Sequence, residues 1–291
     1  SLAAVNIPDN TWVKVNPTLV LPNGLTGTYG YKGWSQAAYD SVDKKMILWE
    51  HYGDANYKDS IYGNSIWSFD PSANQLSLLK VSNWNYNPII GQSYELPANA
   101  TDPTPIDRHP AFVYASEKNA TYSFGGLNSR FSRYHPGDTW KFNLNSNAWV
   151  NIYPNICNDD PGYPPAYITP ITCHYDGSLP AMTYDASTKK IVIHSTHATP
   201  YGSNRTWLFD TQTETYEIVS TTNLPSSISG NVMAYDSSRQ KTWMFGSGGS
   251  SWDTGGNELW HFDSVTKLWT KIIANGSVPP ARLYHGFVYL P

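Results

Sequence analysis

The chain has 291 residues and a formal net charge of -4, with only 14% charged residues but 14% aromatics and an abundance of Tyr, Asn, Ser, Thr, Gly and Pro. An ordinary soluble domain carries roughly 25% charge, so this surface is polar without being charged. No basic footprint for nucleic acid exists, no apolar run reaches the roughly 18 residues of a membrane span, and no charged start with an apolar core marks a signal peptide.

In chain order, residues 33–81 hold four short runs of β-branched and aromatic residues broken by turn residues, the pattern of strands joined by reversals. The same pattern returns over residues 107–152, 179–219 and 230–273. A tyrosine stands near the end of each first strand, at Tyr39, Tyr114, Tyr184 and Tyr235, and recurs as Tyr289. A tryptophan marks each third strand, at Trp67, Trp140, Trp207 and Trp260. Nine residues after each comes another large side chain: Leu76, Trp149, Tyr216 and Trp269. Asp40, Asp185 and Asp236 repeat a turn position after the first strand, which reads as structural. Repeats at a period near 50 residues suggest radial blades.

The two ends follow from that alignment. Residues 2–6 overlay on 259–263, and Trp12-Val13-Lys14-Val15 overlays on Trp269-Thr270-Lys271-Ile272, so the chain opens with strands three and four of a blade. Residues 280–290 supply a first strand. One second strand is then unaccounted for, and an unpaired edge inside a ring is not stable. The expectation is a single domain over residues 1–291, with four complete blades and partial ones, belonging to a longer protein.

The run Phe124-Gly125-Gly126, then Asp138-Thr139-Trp140-Lys141-Phe142, then Ala148-Trp149, closely resembles a kelch repeat. Asn257-Glu258-Leu259-Trp260-His261-Phe262-Asp263 followed by Trp269 resembles one better still. The double glycine decays to Glu50-His51, His194-Ser195 and Gly246-Ser247 in the other repeats. The resemblance implies an all-β fold, a kelch-type β-propeller of four-stranded antiparallel blades. Similar proteins range from oxidases to adhesion and scaffold modules, so the fold assigns no function by itself.

Two connections between blades are long, residues 82–106 and 153–178, and loops beyond about 12–15 residues are often functional. They share a face with the turns between second and third strands, at residues 51–64, 127–138, 195–204 and 247–256. On that face Trp84, Tyr86, Tyr134, Tyr201 and Trp252 are the expected partner-binding residues. An uncovered ring leaves apolar area in water at roughly 25 cal/mol per Å². Tyr163 and Tyr167, beside prolines, are expected to pack on their own loop instead.

Cys157 and Cys173 are the two cysteines, 16 residues apart in one loop. They are expected to form a disulfide stabilising that loop by about 3 kcal/mol in the chain-entropy model, which implies an oxidising compartment. Their spacing is not that of a metal site. Sequons at Asn99, Asn119, Asn204 and Asn275 are candidate glycan acceptors, with Asn119 in a tight turn facing solvent.

Catalytic signals are weak. A galactose oxidase-like copper enzyme needs a tyrosine crosslinked to a cysteine, a second tyrosine and two histidines, and only His194 and His197 form a candidate pair, which also reads as two polar residues at a strand end. Asn158-Asp159-Asp160 reads first as a turn rather than a calcium loop. Neither a catalytic residue nor a metal or cofactor is therefore expected. The sequence favours a secreted or cell-surface recognition and adhesion module that binds a glycan or an extracellular protein through its loop face. The alternatives are a self-associating structural subunit of an extracellular wall, coat or filament, and an oxidase.

Overall fold

The computed structural model describes residues 16–21, 35–50, 65–81, 101–103, 111–124, 138–153, 180–195, 205–226, 230–249, 255–283 and 285–290. A short strand, β1 (Thr18–Val20), precedes four antiparallel blades. Blade 1 holds β2 (Ser35–Asp40), β3 (Lys45–Glu50), β4 (Ile66–Asp70) and β5 (Gln75–Lys80). Blade 2 holds β6 (Ala111–Ala115), β7 (Ala120–Phe124), β8 (Thr139–Asn143) and β9 (Ala148–Tyr153). Blade 3 holds β10 (Ala181–Asp185), β11 (Lys190–Ser195), β12 (Arg205–Asp210) and β13 (Thr215–Val219). Blade 4 holds β14 (Val232–Asp236), β15 (Lys241–Ser247), β16 (Glu258–Asp263) and β17 (Leu268–Ile272). Among the described residues the one helical element is a 3-10 turn, Ser116–Lys118.

Within each blade the strands follow chain order from inner to outer edge. The first strands of consecutive blades, β2, β6 and β10, and then β14, pack side by side. Because side chains alternate across a strand, a blade presents two faces, and among the described residues three blade-to-blade interfaces bury them, blade 1 on 2, 2 on 3 and 3 on 4. Ile47, Trp49 and Ile66 of blade 1 meet Trp140, Phe142 and Trp149 of blade 2 in one core cluster. Tyr122 and Phe124 meet Ile191, Ile193, Trp207 and Phe209 between blades 2 and 3. Val192, Leu208 and Val219 meet Trp260, Phe262 and Trp269 between blades 3 and 4. The core is therefore a series of sheet-on-sheet contacts rather than one central cluster.

The nine-residue spacing has a cross-strand cause. Two residues beyond each third-strand tryptophan is a phenylalanine, and its ladder partner is the fourth-strand residue: Phe69 opposite Leu76, Phe142 opposite Trp149, Phe209 opposite Tyr216 and Phe262 opposite Trp269. The last three pairs hold their ring centroids 5.2, 4.7 and 5.0 Å apart, the range in which aromatic pairs attract beyond simple burial.

The hairpins at one end of the blades are closed by their own side chains. In seven of the eight turns joining strand one to two and strand three to four, an Asp or Asn ends the strand and its Oδ1 accepts the backbone N–H groups two and three residues on. The fifth residue of each turn is left-handed, from Lys44 at φ 58° to Lys267 at φ 60°. Such Asx turns supply locally the hydrogen bonds that the reversed backbone loses. The repeated aspartates are structural, as the sequence suggested. The eighth turn lacks the acid and uses the 3-10 turn with Asn119 at φ 45°.

The recurring tyrosines join blades at this same end. Tyr114 lies against Asp40 of blade 1, Tyr184 donates to Glu117 of blade 2, and Tyr235 lies against Asp185 of blade 3. Burial, with these carboxylates beside them, raises all three phenols above their ordinary pKa. Each tyrosine thus tethers its blade to the turn of the blade before.

Two features depart from the sequence reading. Blade 1 gains a fifth strand, because β1 pairs in parallel with β5, Thr18 opposite Gln75 through Val20 opposite Ser77. The expected first strand at residues 280–290 is not a strand. Apart from one antiparallel bridge between Arg282 and Gly256 it is irregular, so Tyr289 does not end a strand. A strand needs a ladder partner, and none for this segment is found among the described residues.

Candidate recognition face

Trp84, Tyr86, Tyr134, Tyr201 and Trp252 lie outside the described residues, as do Cys157, Cys173, Asn99, Asn204, His51, His197 and Asn158-Asp159-Asp160. What the structure gives is the base on which those loops stand: the ends of second strands and the beginnings of third strands, opposite the Asx turns.

At that base a polar residue two positions before the strand-three tryptophan holds the indole N–H. Asp138 Oδ2 accepts from Trp140 Nε1 at 2.6 Å, and Glu258 Oε2 accepts from Trp260 Nε1 at 2.9 Å. Asp138 is buried, and desolvation pushes its carboxyl up to about 6 despite the indole bond. Burial acts in the same direction on Glu258, but bonds from Lys271 and Trp260 outweigh it and hold that carboxyl below its usual range. The equivalent carboxyls of the two blades are therefore displaced in opposite directions from their ordinary values.

His194 is fully buried at the end of β11. Its Nδ1 is 3.1 Å from Thr206 Oγ1, which accepts from Trp269 Nε1 at 2.8 Å, and the His194 and Trp269 rings meet edge to face at 5.4 Å. Burial pulls the imidazole down to about 4, against a small opposing effect of the Pro225 backbone. His194 is thus a neutral packing residue between blades 3 and 4. Among the described residues no three histidine, cysteine, aspartate or glutamate side chains converge as metal ligands.

Two sequons are described. Asn275 is exposed in an irregular segment. Asn119 sits in its predicted turn but is half-buried rather than freely facing solvent. It accepts from the Tyr114 hydroxyl at 3.1 Å and donates through Nδ2 to Asn145 at 2.7 Å. Its left-handed backbone, which asparagine tolerates better than most residues, gives it a turn role as well.

One surface was not foreseen. A groove of about 560 Å³ runs along the outer side of blade 4, between Phe245, Leu259 and Ile272 and the irregular segment carrying Arg282, His285 and Phe287. His285 packs edge to face on Phe245 at 5.3 Å. The glycines beneath are required: Gly246 has φ 110°, and a Cβ on Gly256 would fall 1.9 Å from the Ser247 carbonyl oxygen. No motif in the sequence marks this groove, since its walls come from three strands and a segment expected to be a strand itself.

Radially arranged four-stranded blades that bury their faces on one another, closed by tight turns at one end and carrying long loops at the other, define a β-propeller interaction module. A family model described as the KLHDC2/KLHL20/DRC7 Kelch-repeats domain matches residues 92–290, and the chain belongs to the kelch-repeat family. No curated protein matches the chain. Kelch-repeat domains bind proteins and are typically interaction modules rather than catalysts.

Proposed function

We propose that this chain is a recognition and adhesion module that acts outside the cell through its loop face, binding a glycan or an extracellular protein. The observation that carries this reading is the asymmetry of the blades. The hairpin turns at one end spend their polar groups on themselves, whereas the connections at the other end vary in length and hold Trp84, Tyr86, Tyr134, Tyr201 and Trp252. A low-charge face of aromatic, Asn and His side chains suits ring stacking and neutral hydrogen bonds.

Trp252→Ala tests it. The residue stands in a Gly-Ser-rich turn with little of its own to pack on, so the melting temperature should stay within a few degrees while binding on a glycan array or to a captured extracellular protein weakens. A large loss of stability with binding intact would make the ring internal packing. Loss of self-association alone would favour the structural-subunit reading.

The extracellular setting has its own test. Peptide mass mapping without reduction should find Cys157 bonded to Cys173 and sugar on at least two of Asn99, Asn119, Asn204 and Asn275, with exposed Asn275 occupied. Free thiols and bare asparagines would place the protein in a reducing compartment instead.

A further inference from the structure

The connection from β13 to β14 crosses the interface between blades 3 and 4 at the loop-bearing end, and residues 223–226 are pinned along its length. Asn223 Nδ2 donates to the Trp269 carbonyl of β17 at 2.9 Å. Leu224 packs into the apolar cluster shared by the two blades, and buried Pro225 lies with its carbonyl against His194. Next in line, Ser226 Oγ accepts the Gly248 N–H at 2.7 Å. That last bond leaves the interface and reaches the start of the connection between β15 and β16.

Gly248 needs an acceptor from elsewhere in the chain. β15 ends at Ser247, whose ladder partner is Glu258, and the register has already shifted between Phe245 and Ser247, so the next N–H lies beyond the ladder and asks for another partner. The residue stands at φ 89°, where a Cβ would fall 2.3 Å from Glu258 Cγ, so no side chain fits there to stiffen the backbone. The returning stem is as close: a Cβ on Gly256 would fall 2.7 Å from the Gly249 nitrogen. Its carbonyl accepts the Arg282 N–H at 3.2 Å. Glycines let the two stems approach, but they bring the most backbone freedom of any residue. The stems are therefore held from outside, by Ser226 on one side and by the Arg282 backbone on the other.

We infer that Ser226 is a positioning residue for recognition at the loop face: through Gly248 its hydroxyl fixes the stem from which residues 250–254, Trp252 among them, leave blade 4. The consequence for binding rests on the loop-face reading above, whereas the effect on the stem does not. A connection whose stem is fixed beforehand loses less freedom when it binds, and one ordinary hydrogen bond shifts a local opening equilibrium about tenfold. The pinning of residues 223–225 matters here. A free serine would give up its own mobility to hold Gly248, but the interface between blades 3 and 4 has already fixed this one.

The full chain, Ser226→Ala and Ser226→Thr are compared by amide exchange at Gly248 and, with fluorotryptophan incorporated, by fluorine NMR, the Trp252 line being assigned with Trp252→Phe. Ser226→Ala should exchange the Gly248 amide about tenfold faster and displace the Trp252 line, with the melting temperature within a few degrees of native. Ser226→Thr keeps the hydroxyl and should restore both signals. On a glycan array, the spots bound by the native chain should lose signal several-fold in Ser226→Ala and regain it in Ser226→Thr. An exchange rate and fluorine line unchanged in Ser226→Ala, or a Ser226→Thr chain that behaves as Ser226→Ala does, would overturn the inference. A native Gly248 amide that exchanges as an unbonded one overturns it without any variant, and a Ser226→Ala chain too unstable to measure makes the residue one of the fold and overturns it as well. Trp252→Ala binding the array as the native chain does, with the exchange and fluorine results as expected, would sink the loop-face reading alone and leave Ser226 fixing the stem.

Discussion

Trp149→Ala is expected to destabilise the protein by roughly 3–5 kcal/mol, the range for removing a large ring from a packed interior. The ring is 7% exposed and lies 5.2 Å from Trp49, 5.2 Å from Phe142 and 6.4 Å from Trp140. Those partners come from two blades, so the cavity opens across an interface, where each blade is held by its own ladder and cannot easily collapse into the gap. The indole nitrogen has no hydrogen-bond partner among the described residues, and the loss is one of packing alone. Leu76→Ala, at the same repeat position in blade 1, should cost less, because Leu76 is only half-buried. Urea unfolding midpoints measure both. A loss below about 1 kcal/mol for Trp149→Ala, the size of an ordinary substitution, would mean that the blades do not depend on the strand-four ring.

The strands were legible in the sequence because each blade repeats the same local physics. A run of alternating side chains, an Asp with a left-handed residue four positions on, and a Trp answered nine residues later each have a cause within one blade, visible in Asp263, Lys267, Trp260 and Trp269. The links between blades were legible only as recurrence. Tyr184 repeats Tyr114, but nothing in its neighbourhood says that its hydroxyl goes to Glu117, 67 residues earlier. The C-terminal segment was misread for a related reason: residues 280–290 have the composition of a first strand, yet strand formation depends on a partner, and composition does not reveal one. β1 was missed because its three residues, Thr-Leu-Val, are too few to show a period, and its place is set by the edge of β5. The groove on blade 4 was invisible because its walls come from three strands and the irregular C-terminal segment, which share no motif in the sequence. The expected partner-binding aromatics follow from loop composition alone, which carries no register.

His194 and Asp138 should respond to acid in opposite directions, and single substitutions should expose this. The His194 imidazole titrates at about 4 in the folded chain and near 6.5 when unfolded. Between those values the unfolded chain binds the extra proton. The stability from keeping this ring neutral is complete above about pH 6.5 and is lost as pH falls toward 4, by up to about 3 kcal/mol. Asp138 behaves inversely. Its carboxyl titrates at about 6 when buried and near 3.8 when free, so the folded chain holds the proton in between, and stability is gained as pH falls from 6 toward 3.8, again by about 3 kcal/mol at most. The two nearly cancel in the native protein. Asp263, held to about 2, and Asp236, held lower still, add their losses only as pH drops below the free carboxylate value. His194→Phe places at this position the residue that Phe124 and Phe245 already provide in blades 2 and 4, so it should fold, and it should become more stable on acidification from about pH 6.5 to 4.5. Asp138→Asn keeps an amide oxygen for the Trp140 indole and removes the proton site, so it should lose roughly 2–3 kcal/mol over the same range. Urea unfolding at stepped pH reads both slopes. Parallel curves for the two variants would show that neither group is as dry as its surroundings imply, with water reaching the strand ends beneath the loop face.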